Sequence, residues 1–167
     1  MFLTFLLCSF FSSTNKLPLD ERIAYRLMSE FSRNHVRDLQ FAGSGLTGDK
    51  TNGKLASLDI FFEKKQTLNI ESARKLIVEN TQQFIYFLNS NKEIQPYITR
   101  FPVTPNEVEI SISGDVRCNN NNDYVSMVYT HGGLVTYFTD SMTPPNYGRI
   151  HKETFEEAVT KLQNSNP

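Results

Sequence analysis

Between Ile70 and Leu88 apolar side chains return every three or four residues, at Ile70, Ala73, Ile77, Phe84, Ile85 and Leu88, with Thr81 on the same stripe. That spacing matches the turn of an α-helix and predicts a long amphipathic one. Asn69 offers a side-chain oxygen to the first free N–H groups, and Asn89-Ser90-Asn91 marks the end. A helix with one apolar stripe must bury it against another element. The flanking sequence supplies that element, because on both sides the apolar period changes to two. Upstream, Ala56, Leu58, Ile60 and Phe62 share one face of a segment from Leu55 to Lys65. Downstream, Val108, Ile110 and Ile112 alternate with Glu107, Glu109, Ser111 and Ser113, and Gly114-Asp115 closes the run.

The other elements follow the same logic. Leu19, Ile23, Leu27 and Phe31, with Ala24 and Met28 beside them, predict a first helix whose positive end suits Asp20 and Glu21. Leu39 to Ala42 alternates briefly, and a Gly-rich loop is expected from Gly43 to Gly53. Tyr124 to Thr130 and Leu134 to Thr139 flank His131-Gly132-Gly133, a hairpin signal because glycine accepts the positive φ of tight turns. A polar loop is expected at Asn119 to Asp123. Pro144-Pro145 breaks the chain before a last helix lined by Phe155, Ala158, Val159 and Leu162, entered through Lys152-Glu153-Thr154. The order α-β-β-α-β-β-β-α predicts an α+β fold, an antiparallel sheet of about five strands packed by two or three helices. With 39% apolar residues, thirteen Phe and seven Tyr, a chain of 167 residues can build one core without metal or disulfide. Residues 15–167 are therefore assigned to a single domain.

Residues 1–14 carry a different signal. Phe2 to Phe11 is free of charge, about the length of the apolar core of a secretory signal and too short for a spanning helix of about twenty residues. No Lys or Arg precedes it, and Ser12, Ser13 and Thr14 supply small residues for cleavage. The expectation is an exported protein, periplasmic, secreted or membrane-associated, held to a membrane only if this leader stays uncleaved. Removal of the leader takes Cys8 with it and leaves Cys118 without an intrachain partner. The competing reading makes the apolar start a buried strand of an intracellular structural domain.

Charge narrows the partners. Seventeen Lys and Arg against eighteen Asp and Glu leave a net charge of −1, without the positive field that nucleic-acid binding requires. Gly43-Ser44-Gly45-Leu46-Thr47-Gly48 has the glycine spacing of a dinucleotide fingerprint, but a strand pattern follows where the fingerprint needs a helix. Gly48 to Lys54 overlaps it and has the spacing of a phosphate-binding loop, yet Leu55 stands where a hydroxyl must ligate magnesium. Both motifs are refused, and no cofactor is expected. Lys50 and Lys54 remain as candidate contacts to a partner protein or an anion. His35, His131 and His151 lack the spacing of a zinc site or of a nucleophile and base, so neither metal ligands nor catalytic residues are assigned. Glu107 and Glu109 fall on one strand face, as solvated strand faces routinely arrange.

The stretches Ile70 to Val78, Phe87-Leu88-Asn89-Ser90-Asn91, Ile94-Gln95-Pro96-Tyr97-Ile98, Phe101-Pro102-Val103-Thr104, Val108 to Ile112 and His151 to Ala158 resemble a family of uncharacterised exported proteins from chlamydia-related and other intracellular bacteria. The resemblance implies export and a single domain, and no activity. Three functional readings follow. The first is an exported, non-enzymatic domain that binds a protein or envelope component through its sheet surface or the Gly-rich loop. The second is a small hydrolase or lyase that assembles its site in the fold from His131, His151, Cys118, Glu107 and Glu109. The third is the intracellular structural domain.

Overall fold

The structure, a computed structural model, describes residues 17–115, 124–139 and 148–164. The expected leader at residues 1–14, Cys118, the polar loop at Asn119 to Asp123 and the Pro144-Pro145 break lie outside the described residues.

Helix α1 (Leu19–Asn34) begins after Pro18, whose extended backbone suits a helix entry, and buries Ala24, Leu27, Met28 and Phe31. Strands β1 (Gln40–Asp49) and β2 (Lys54–Lys64) form an antiparallel hairpin. Helix α2 (Ile70–Ser90) starts on a reciprocal cap, in which Asn69 Oδ1 accepts the Ser72 N–H and Ser72 Oγ accepts the Asn69 N–H. It buries Ala73, Ile77, Thr81, Phe84 and Leu88, the stripe read from the sequence. A single 3-10 turn at Gln95–Tyr97 follows, then β3 (Val108–Gly114), β4 (Met127–His131), β5 (Leu134–Phe138), β6 (Arg149–Thr154) and α3 (Phe155–Asn164).

The class is α+β with the expected alternation of helices and strands, but the sheet has six strands in the order β1-β2-β3-β4-β5-β6. Strand β6 is the addition. Its two inward positions carry His151 and Glu153 in place of apolar residues, so the alternation that marks a strand is hidden, and its end had been assigned to the helix entry. The sheet is also mixed: β2 and β3 run parallel, Leu58 beside Val108 and Ile60 beside Ile110, while every other neighbouring pair is antiparallel. The connection between them explains this. Twenty-one residues of α2 span about 30 Å, enough to carry the chain back to the end where β2 began.

The Gly-rich segment is corrected as well. Gly43 to Asp49 belongs to β1, and only the residues from Lys50 to Gly53 turn. That turn is ordered by its own side chains: Asp49 Oδ1 accepts from the Thr51 N–H at 2.8 Å and from its hydroxyl at 2.6 Å, and Asn52 Oδ1 accepts from the Lys54 N–H. These hydrogen bonds from Thr51 hold the Asp49 carboxyl below its ordinary range.

All three helices lie on one face of the sheet. Leu58, Ile60 and Phe62 of β2, Val108, Ile110 and Ile112 of β3, Val128 of β4, and Val135 and Tyr137 of β5 are buried there in one cluster with the inner faces of α1, α2 and α3. The alternate residues of β2 to β6 form the opposite face, on which no helix of the described residues packs.

Candidate functional site

Of the described residues proposed as a catalytic pool, His131 and Glu109 come together and Glu107 and His151 stand apart from them. Glu107 is buried in the turn before β3, where its Oε2 accepts from the Thr104 N–H at 2.8 Å and the Thr104 hydroxyl at 2.6 Å, with Arg100 at 3.8 Å from its other oxygen. Those partners make it a turn-forming group. His35 stacks on Phe31 with ring centres 5.6 Å apart. His151 sits on the helix-covered face and His131 on the opposite one. Cys118 lies outside the described residues.

Two clusters do form. The first surrounds Glu153, which is 4% exposed and points inward from β6. Its Oε1 accepts from the Tyr137 hydroxyl at 2.6 Å and from Arg74 Nε at 2.8 Å; its Oε2 accepts from Lys161 Nζ at 2.7 Å and lies 3.3 Å from His151 Nε2. The Arg74 guanidinium also lies 5.9 Å from the centre of the Tyr137 ring. Burial alone would raise the carboxyl, but the hydrogen bonds from Arg74, Lys161 and Tyr137 outweigh it and hold Glu153 at about 2. Burial, with the Glu153 charge beside it, pushes the Tyr137 hydroxyl far above its ordinary value. One group is therefore always ionised and the other always protonated. A general acid or base needs a pKa near the working pH, so neither Glu153 nor Tyr137 is suited to that role. It ties together α2, β5, β6 and α3.

Sequence reading missed Arg74, Tyr137, Glu153 and Lys161. A signal was available: Thr154 and Glu157 have capping-box spacing, and the Thr154 N–H does donate to Glu157 Oε2 while Thr154 Oγ1 accepts the Glu157 N–H. That box starts the helix after Thr154 and frees Arg149 to Thr154 to be a strand with His151 and Glu153 on one side.

The second cluster is on the helix-free face. His131 Nδ1 donates to Glu109 Oε1 at 2.5 Å, so the neighbouring strands β3 and β4 join the two candidates that spacing alone could not connect. Beside them one row crosses the whole sheet, Gly43, Phe61, Ser111, Tyr129, Thr136 and Lys152. The next row reads Glu63, Ser113, Met127, Phe138 and Arg149. Tyr129 and Phe138 stack with ring centres 5.6 Å apart and planes 12° from parallel. Phe61 is 43% exposed. Its exposure follows from the refused glycine motif: Gly43 and Gly45 sit beside Phe61 and Asp59, and a Cβ on either glycine would touch those side chains at 3.7 and 3.4 Å. Glycines at these places leave the two uncovered, and a strand glycine commonly marks where another surface approaches closely. Lys50 and Lys54 are exposed at the tip of the β1–β2 hairpin, in a short ordered turn where a long loop was expected.

A further cavity of about 340 Å³, open to solvent, lies where β1 begins and β2 ends, between Arg37, Asp38, Gln40, Glu63, Lys64 and Lys65. Its charges are of mixed sign, and Lys64 Nζ is engaged by the Asp38 carbonyl at 3.2 Å. Among the described residues there is no group of three or more His, Cys, Asp or Glu placed to hold a metal ion, and no helix long and apolar enough to cross a membrane. No family model, curated protein or solved structure matches this chain.

Proposed function

We propose that this chain is an exported, non-enzymatic interaction domain whose working surface is the helix-free face of the sheet. The observation that carries the reading is the aromatic band on that face, Phe61, Tyr129 and Phe138 with Met127, on strands whose other side is already buried under helices. Phe61 is exposed and the other three are half-buried, and aromatic and Met side chains open to solvent beside charged ones are what protein interfaces concentrate. Lys50 and Lys54 extend the surface at the hairpin tip. The apolar segment Phe2 to Phe11 and the likeness to exported proteins of intracellular bacteria support export.

Fractionation of a host expressing the full chain tests the compartment. The expected result is a mature protein beginning near Asn15 in the exported fraction, and retention in the cytoplasm with Met1 intact overturns it. Binding of dilute protein, at about 10 nM, to a washed envelope fraction tests the surface: Phe61→Asp is expected to lower it about tenfold at unchanged thermal stability, and equal binding by both proteins overturns it.

The pairing of His131 with Glu109 favours a second reading, a small hydrolase or lyase in which the carboxylate orients the ring and leaves Nε2 as base. Turnover of any ester, amide or glycoside substrate that disappears in His131→Ala would establish it. No turnover across the panel removes it.

A further inference from the structure

The helix-free face is divided by charge. Its acidic residues, Asp59, Glu63 and Glu109, stand on β2 and β3, and its basic residues, Arg149 and Lys152, stand on β6. Between them Tyr129, Met127 and Phe138 stand among Ser111, Ser113 and Thr136, with Tyr129 on β4 at the middle. We propose that the occupant of this face is a second copy of the same chain, related by a two-fold axis lying in the interface along β4. The proposal rests on the sheet-face reading above and names its partner.

The strand order selects this geometry. Strand β4 is two strands from β2 and two from β6, so a two-fold axis along it lays β2 of each copy over β6 of the other. One acid–base pair then forms at each end of the interface, Glu63 approaching Arg149 of the second copy, while Phe61 approaches its Lys152, because each pair shares a row of the sheet. An axis across the strands would set β2 on β2 and oppose acid to acid. Packed sheets usually cross at about 30°, which displaces contacts two strands from the axis by ~5 Å, within the reach of Lys and Arg side chains. At a spacing of ~4.8 Å and a rise of ~3.3 Å per residue the five strands that this axis superposes, β2 to β6, present about 500 Å². A stable complex buries ~800 Å² per partner, so the dimer belongs to the weaker size class. The bare backbone at Gly43 and Gly45 removes side chains that would hold a second sheet away from Phe61.

The test is the mass in solution of the full chain, expressed with its N-terminal segment and purified as the host leaves it. Sedimentation equilibrium is expected to give twice the mass found for the same sample by denaturing mass spectrometry. Glu63→Lys alone and Arg149→Glu alone are each expected to weaken the dimer by roughly tenfold, since each creates two like-charge contacts, and the double swap is expected to restore it. All three variants are checked by far-ultraviolet melts, and both substituted positions are exposed. A wild-type monomer at about 100 µM overturns the proposal, since an equilibrium of that weakness would not cover the face. If that monomer still binds envelope through Phe61, the sheet-face reading stands and only the self-association is lost. A dimer indifferent to both single reversals overturns the stated geometry.

Discussion

Glu153 is an ionised carboxylate placed where the pattern of a buried strand calls for an apolar residue. Its charge is tolerable because Arg74, Lys161 and the Tyr137 hydroxyl all donate to it. Glu153→Leu leaves Arg74 facing an apolar group and is expected to cost about 3 kcal/mol in urea unfolding. The same cluster sets an acid limit. The folded carboxyl titrates at about 2, below its ordinary 4.5, so its contribution is complete above pH ~5 and is lost as pH falls toward 2. On the order of 2 kcal/mol of wild-type stability should disappear across that window, measured as the urea midpoint against pH, and the Glu153→Leu curve should be flatter by that amount. The β4–β5 turn gives a second contrast. Gly132 and Gly133 have φ of 55° and 75°, but a Cβ on Gly132 meets open space while one on Gly133 falls 2.8 Å from Asn106 Oδ1. Gly133→Ala should therefore destabilise by about 1 kcal/mol more than Gly132→Ala in the same assay.

At the scale of elements, β1 is the informative one. Glycines at 43, 45 and 48 and few apolar residues read as a loop, since strand propensity is low along the whole segment. Pairing with β2 from Gln40 beside Glu63 to Asp49 beside Lys54 overrides that propensity, because β2 holds its outer edge open to any extended neighbour. Amides of Gly43 to Thr47 that point toward β2 should exchange with deuterium as slowly as those of β2, whereas a loop would exchange within seconds. Strand β6 shows the same override for a different reason. Its inward residues are polar, so what holds it is the hydrogen-bonded ladder to β5 and the ion cluster at Glu153.

For the molecule as a whole, one core joins the three helices and strands β1 to β5, and β6 is tied to it through Glu153. Phe31 of α1 packs on Phe84 of α2, and Ala158 of α3 shares the cluster with Val135 of β5 and Leu58 of β2. A chain held this way should unfold in one transition, with far-ultraviolet circular dichroism and tyrosine fluorescence superimposing; separate midpoints would place residues 17–53 outside the common core. With the three helices of the described residues on one face, the aromatic rows lie on the other, which is the surface proposed for association.

The amino-acid sequence by itself determined the three helices, the alternation in β2 and β3, the Gly-Gly hairpin and the α+β class, because each is written in a local period of apolar residues or in a local cap. The extension of β1 through Gly43 to Asp49, the strand identity of β6, the parallel pairing of β2 with β3, the convergence of Arg74, Tyr137, Glu153 and Lys161, and the meeting of His131 with Glu109 were decided only in three dimensions. Those contacts join residues up to 79 positions apart. Their energies arise from pairing and charge compensation between elements, and neither leaves a period along the chain.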